Sequence, residues 1–260
     1  MALARAMLSA LLALPFLAGC LYLPWGTGGT VLVEAYSVSD DFRSTDARGA
    51  NAYPAPQQLA PLDHVIVVPY FEHRGLLTVE VREALRIRGQ GDRVYYPLRL
   101  YLAPCTMLSP NIDSNEGALV FAEGCWPADI YEGSAPAPGC LWRKCFAKHE
   151  QRPAGADQLL HVVLYRQTRA FDQDLLAHTH GYNLTDILVT HLDALFRSVD
   201  HSSPMRPEDR TMVYTQLLTL VEAWLAHGHY REPRQVYEKV RDRLRDKVKA
   251  LSSAPKPPGP

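Results

Sequence analysis

The chain reads as an α+β protein, with an antiparallel sheet in the N-terminal two thirds and helices at the C-terminus. Two observations predict this. Between residues 31 and 167 apolar residues recur at period two or in short β-branched runs, whereas beyond residue 183 they recur at i, i+3, i+4 and i+7. Strands that come first and helices that follow mark an α+β domain, where an α/β sheet would alternate them.

The first strand is predicted at 31–36, from Val31, Leu32, Val33 and Tyr36. A polar stretch at 37–61, with Asp40, Asp41 and three prolines, is expected to be a long surface loop. An apolar run at 64–70 is the next strand. Val79, Val81, Leu85 and Ile87 then share one face at period two, although Glu83 interrupts it. Gly89, Gly91 and Asp92 signal a turn, and Val94, Tyr96, Leu98, Leu100 and Leu102 alternate after it, so the two runs predict a β-hairpin. Pro97 cannot donate to a ladder, which places its strand at an edge or a bulge. Residues 105–148 read as a loop-rich, disulfide-rich region with one strand at 118–122, and a further strand follows at 159–167.

Leu184, Ile187, Leu188, His191, Leu192, Leu195 and Phe196 form one apolar stripe and predict a single helix capped by Asn183. A second helix starts with Pro207 at its first position and stops at Gly228. A third spans 233–251. These elements make one domain over 30–251, followed by a proline-rich tail at 252–260 that is expected to be disordered.

Composition bounds the function. The 260 residues carry a formal charge of −1, with no basic excess of the kind a nucleic-acid binder shows. Eight Lys or Arg and four Asp or Glu lie between Arg231 and Lys249, interleaved as on a solvated helix face. Neither G-x-S-x-G, G-x-x-x-x-G-K, H-E-x-x-H nor G-x-G-x-x-G occurs, and no cofactor is expected.

The N-terminus carries the most specific signal. Arg5 is the only charge in the first residues, and residues 7–18 form an uncharged apolar run too short to span a bilayer but suited to a signal peptide. Leu17, Ala18, Gly19 and Cys20 follow it, and this segment resembles the lipobox of bacterial prolipoproteins. The resemblance covers about the first 20 residues and concerns processing alone. It implies cleavage after residue 19, fatty acylation of Cys20, and a tether at 20–29 that attaches the body to a membrane. Leu21 follows the cysteine, so the expected address is the bacterial cell envelope, at the outer membrane facing the periplasm. Removing residues 1–19 leaves 241 and takes away Arg5, which brings the formal charge from −1 to −2.

Four cysteines remain: Cys105, Cys125, Cys140 and Cys145. An even number in an oxidising compartment suggests two disulfides. Pairing Cys105 with Cys125 and Cys140 with Cys145 closes the shortest loops, while the nested pairing stays open. Their spacing lacks the paired pattern of a zinc ribbon. His178 and His180, with Asp174 upstream, are the candidate metal ligands, since alternate residues of an extended segment share a face. His191 is expected to be a bonded, half-buried residue, and His227 and His229 to sit favourably at a helix end. The expected role is non-catalytic binding of a protein partner in the envelope, as an assembly factor, an accessory subunit or an immunity-type inhibitor. The alternatives are a hydrolase without a local motif, and a metal or solute binder centred on His178 and His180.

Overall fold

The computed structural model describes residues 29–42, 54, 56–73, 78–87, 92–96, 114–131, 141–143, 158–172, 175, 182–228 and 231–253. Strands fill the first part of the chain and four helices the last, giving the α+β class that the two periodicities predict.

The strands form two five-stranded sheets. In the first, β1 (Gly29–Val38) runs parallel to β10 (Gln158–Tyr165), with Ala35 beside Val162 and Val38 beside Tyr165. The other edge of β1 is shared by two short antiparallel strands: β6 (Asp92–Tyr96) covers its start and β2 (Leu59–Pro61) its end. β9 (Leu141–Arg143) pairs with β10. A parallel pair needs a long crossover, and the whole second sheet supplies it.

That second sheet is built on β3 (Val65–His73), which pairs along its length with β7 (Ser114–Ala122). β8 (Ala128–Tyr131) extends it beyond β7. β4 (Thr78–Val81) and β5 (Leu85–Ile87) divide the remaining edge of β3 between them.

Three expectations are corrected here. The predicted hairpin does not form: β5 pairs with β3, and β6 crosses to β1 in the other sheet. Both β1 and β3 run through the middle of a sheet, so each needs backbone partners along two edges. Satisfying β1 and β3 outweighs local pairing of β5 with β6. The loop expected at 37–61 contributes β2 and a short 3-10 turn at Pro56–Gln58. The loop-rich stretch contains the long strand β7 together with β8 and β9.

Glu83 marks where the strand predicted at 79–87 breaks. The carbonyls of Arg82 and Ala84 at that break accept hydrogen bonds from Ser198 and Ser202, and Glu83 Oε1 accepts from Ser203 N at 3.2 Å. An interruption of period two therefore becomes a helix-docking point.

Alternate residues of the central strands go to two cores. Val65, Val67, Ala118, Val120, Val162 and Leu164 pack with Ala35 and Ile87 between the sheets. Ile66, Val68, Tyr70, Leu119 and Phe121 join the helices instead. β5 lies against β6 and β8 against β9, so the sheets meet along both sides.

The helices are α1 (Tyr182–Thr190), α2 (Leu192–His201), α3 (Pro207–His227) and α4 (Arg234–Ser253). Pro207 begins α3 and Gly228 ends it at φ 70°, with its N–H donating to Trp224 O, as the sequence predicts. The single helix expected around His191 is two. His191 takes φ −117° and ψ 21°, between α1, which is fixed to the sheet at its start, and α2, which docks at the Arg82–Ala84 break. A straight helix would meet only one of those constraints. The His191 imidazole is partly buried, as expected, with Nε2 3.6 Å from Asp186 Oδ2, a contact longer than a hydrogen bond.

Candidate functional site

One buried carboxylate gathers three sequence-distant elements. Asp209 lies in the first turn of α3 and is 3% exposed. Its Oδ2 accepts from Arg206 N at 2.9 Å, a reach-back that satisfies one of the unpaired N–H groups at the helix start. Arg86 Nε of β5 stands 3.2 Å from the same oxygen, and His64 Nε2, just before β3, stands 3.0 Å from Oδ1. Arg86 Nε and His64 Nε2 are themselves 3.2 Å apart. Arg86 Nε has one hydrogen, fixed in the guanidinium plane, and donates it to His64 Nε2, while both nitrogens lie within ion-pair distance of the Asp209 carboxylate. With Nε2 accepting, the ring carries its hydrogen on Nδ1, the donor on its other side.

None of the three residues was expected as a site. Their separate signals in the sequence are a histidine ahead of an apolar run, an arginine on the polar face of a strand and an acid in a helix's first turn, and only folding brings them together.

A second buried carboxylate, Asp129 of β8, is wholly structural. It accepts from Tyr70 Oη at 2.5 Å and from Leu184 N at 3.0 Å, so it both anchors a phenol and caps α1. The buried Arg169 ties the end of the first sheet in a similar way. Its Nη1 donates to Phe42 O at 3.0 Å, its Nη2 meets Asp172 Oδ2 at 2.9 Å, and its guanidinium lies 4.3 Å from the centre of the Tyr165 ring. Thr168 Oγ1 adds a bond to Asp40 Oδ2 at 2.8 Å.

An open cleft of about 640 Å³ runs between α2 and α4, over Phe196, with Arg197 and Asp246 on its walls. Lys247 pairs with Asp200 at 2.5 Å, and Asp200 also accepts from Tyr214 Oη at 2.6 Å. Burial and that bond to Asp200 push the Tyr214 phenol well above its usual range. Arg243 pairs with Asp193 across the cleft, and Arg245 with Glu222 of α3 at 2.7 Å. Three of the eight basic residues of this stretch, Arg243, Arg245 and Lys247, reach α2 or α3, while Arg234 and Arg241 pair with Glu238 and Asp242 of α4 itself, the interleaving read from the sequence.

Cys125 is the one cysteine among the described residues, a free, buried thiol beside Ala122 and Ala128, and its expected partners lie outside them. Burial pushes its pKa up to about 12, partly opposed by Arg166. A thiol in that state is a poor nucleophile, since the thiolate is the reactive form. Iodoacetamide at pH 8 is expected to modify Cys125 only at the rate of unfolding, read by peptide mass spectrometry, and rapid modification of the folded protein would contradict the burial. Because the folded thiol is held protonated, its contribution to stability is complete below pH 9 and is lost as pH rises from there towards 12.

Cys20, Cys105, Cys140 and Cys145 lie outside the described residues, as do Asp174, His178, His180, His229 and the tail from 254. Among the described residues no group of three or more His, Cys, Asp or Glu could hold a metal ion. His227 is described, in the last turn of α3 with its ring 5.2 Å from that of Phe171. No family model, no curated protein and no solved structure matches the chain.

Proposed function

We propose that this chain is a lipid-anchored protein of the bacterial cell envelope, held at the outer membrane facing the periplasm by acylated Cys20, whose α+β body binds a protein partner without catalysing a reaction. The observation that carries the reading is the order at the N-terminus: Arg5, an uncharged run, then Leu17, Ala18, Gly19 and Cys20. No described helix is long and apolar enough to cross a membrane. β1 starts at Gly29, nine residues after Cys20, so even a fully extended tether reaches only about 30 Å. Two or three acyl chains make such attachment effectively permanent.

Within the body, Asp129 and Asp209 are both engaged as helix caps and cross-links. Intact-mass analysis of protein from bacterial membranes is expected to show a chain starting at Cys20 with diacylglyceryl and acyl additions. Cys20→Ala is expected to retain residues 1–19 and carry no lipid. An unmodified wild-type chain with its first nineteen residues would overturn the anchor. Chemical cross-linking of the lipidated protein in membranes tests the partner: one reproducible protein adduct is expected, and its repeated absence would count against binding.

A further inference from the structure

The cluster around Asp209 is closed on one side and open on the other. Arg86 is 14% exposed, and both of its contacts are made through Nε, to Asp209 Oδ2 and to His64 Nε2. Its two terminal amino groups make no hydrogen bond among the described residues, yet neither is sealed from water. His64 is 31% exposed, and its two contacts likewise use only Nε2, leaving Nδ1 open. The result is a mostly buried guanidinium, paired through Nε with a carboxylate and an imidazole, with its planar pair of terminal donor groups left to solvent.

We propose that this cluster binds an anionic oxygen group, a carboxylate or a phosphate, through the terminal amino groups of Arg86, with His64 Nδ1–H as a further donor. The guanidinium fork matches two oxygens of either group, and its geometry is set before binding because Asp209 and His64 fix Nε. Little side-chain freedom is then lost when the anion arrives, which is the cost that makes exposed arginines weak ligands. Because His64 Nε2 accepts from Arg86, its Nδ1–H is the group that would donate to the anion. Arg206 adds a positive charge at the start of α3, while Asp63 and Glu208 beside the cluster oppose the anion, so millimolar binding is expected. The proposal does not depend on how the chain is anchored.

The test uses the mature full-length protein in detergent, with inorganic phosphate and acetate in separate arms and chloride at equal ionic strength as reference. The readout is the imidazole resonance of His64, assigned by its loss in His64→Gln. A saturable shift with phosphate, acetate or both is expected, and the stronger arm identifies the preferred group. Arg86→Gln is expected to weaken it at least tenfold. Arg86→Lys retains the charge but not the fork, and is expected to weaken binding too, so it carries the comparison if Arg86→Gln does not fold. No saturable shift with either anion, or undiminished binding in a folded Arg86 variant, overturns the proposal.

Discussion

Asp209→Ala is expected to destabilise the fold by about 3–5 kcal/mol, the usual result of removing one partner from a buried ion pair. The substitution withdraws the acceptor of Arg206 N and the carboxylate beside Arg86 Nε and His64 Nε2 together. Arg86 would be left mostly buried with its charge uncompensated, and that is the dominant loss; a missing helix cap alone costs about 1 kcal/mol. Asp209→Asn separates the two contributions. The amide oxygen still accepts from Arg206 N, so the cap survives while the charge compensation is lost. Urea unfolding should order the proteins as wild type, Asp209→Asn, Asp209→Ala. A change below about 1 kcal/mol for Asp209→Ala would show that the cluster does not hold β3, β5 and α3 together.

Gly117→Val should also weaken the protein, against its strand propensity. Valine favours a strand over glycine by up to about 1 kcal/mol, and Gly117 lies within β7, so a reading of the local sequence predicts stabilisation. The tertiary structure reverses the sign. Gly117 stands opposite Tyr70 in the β3–β7 register, and a Cβ at 117 would overlap the Tyr70 ring. The ring has no easy escape, because its hydroxyl is bonded to Asp129, which in turn caps α1. Overpacking of this kind costs about 1–3 kcal/mol, so steric overlap wins. Combining Gly117→Val with Tyr70→Ala should recover part of the loss, which a double-mutant cycle reads as strong coupling. A Gly117→Val protein as stable as wild type would mean that the ring does not lie over the glycine.

Most elements were legible where one residue type fixes a local geometry. Pro207 and Gly228 bound α3 because one supplies a preset φ and the other tolerates φ 70°. The apolar runs of β1, β3 and β10 were equally plain. The errors fell where two local readings compete. The stripe through Leu184 and Phe196 is continuous across His191, so nothing local told of two helices. The Gly-rich turn after Ile87 suggested a hairpin, although its two strands entered different sheets. At Glu83 the interruption of period two was visible, but its meaning required Ser198 and Ser202 from α2.

By itself the amino-acid sequence determined the fold class, the faces of the strands and helices, and the resemblance to an export and acylation signal at Cys20. Each depends on residues within a turn or two of one another, and that is the range over which periodicity and motif operate. Only the tertiary structure decided which edges of β1 and β3 are filled by which short strands, that Cys125 is a buried thiol, and that His64, Arg86 and Asp209 meet. The physical reason is that backbone pairing and charge compensation are settled by distance in space. Burying two central strands forces groups from opposite ends of the chain into contact, and no local pattern records that encounter.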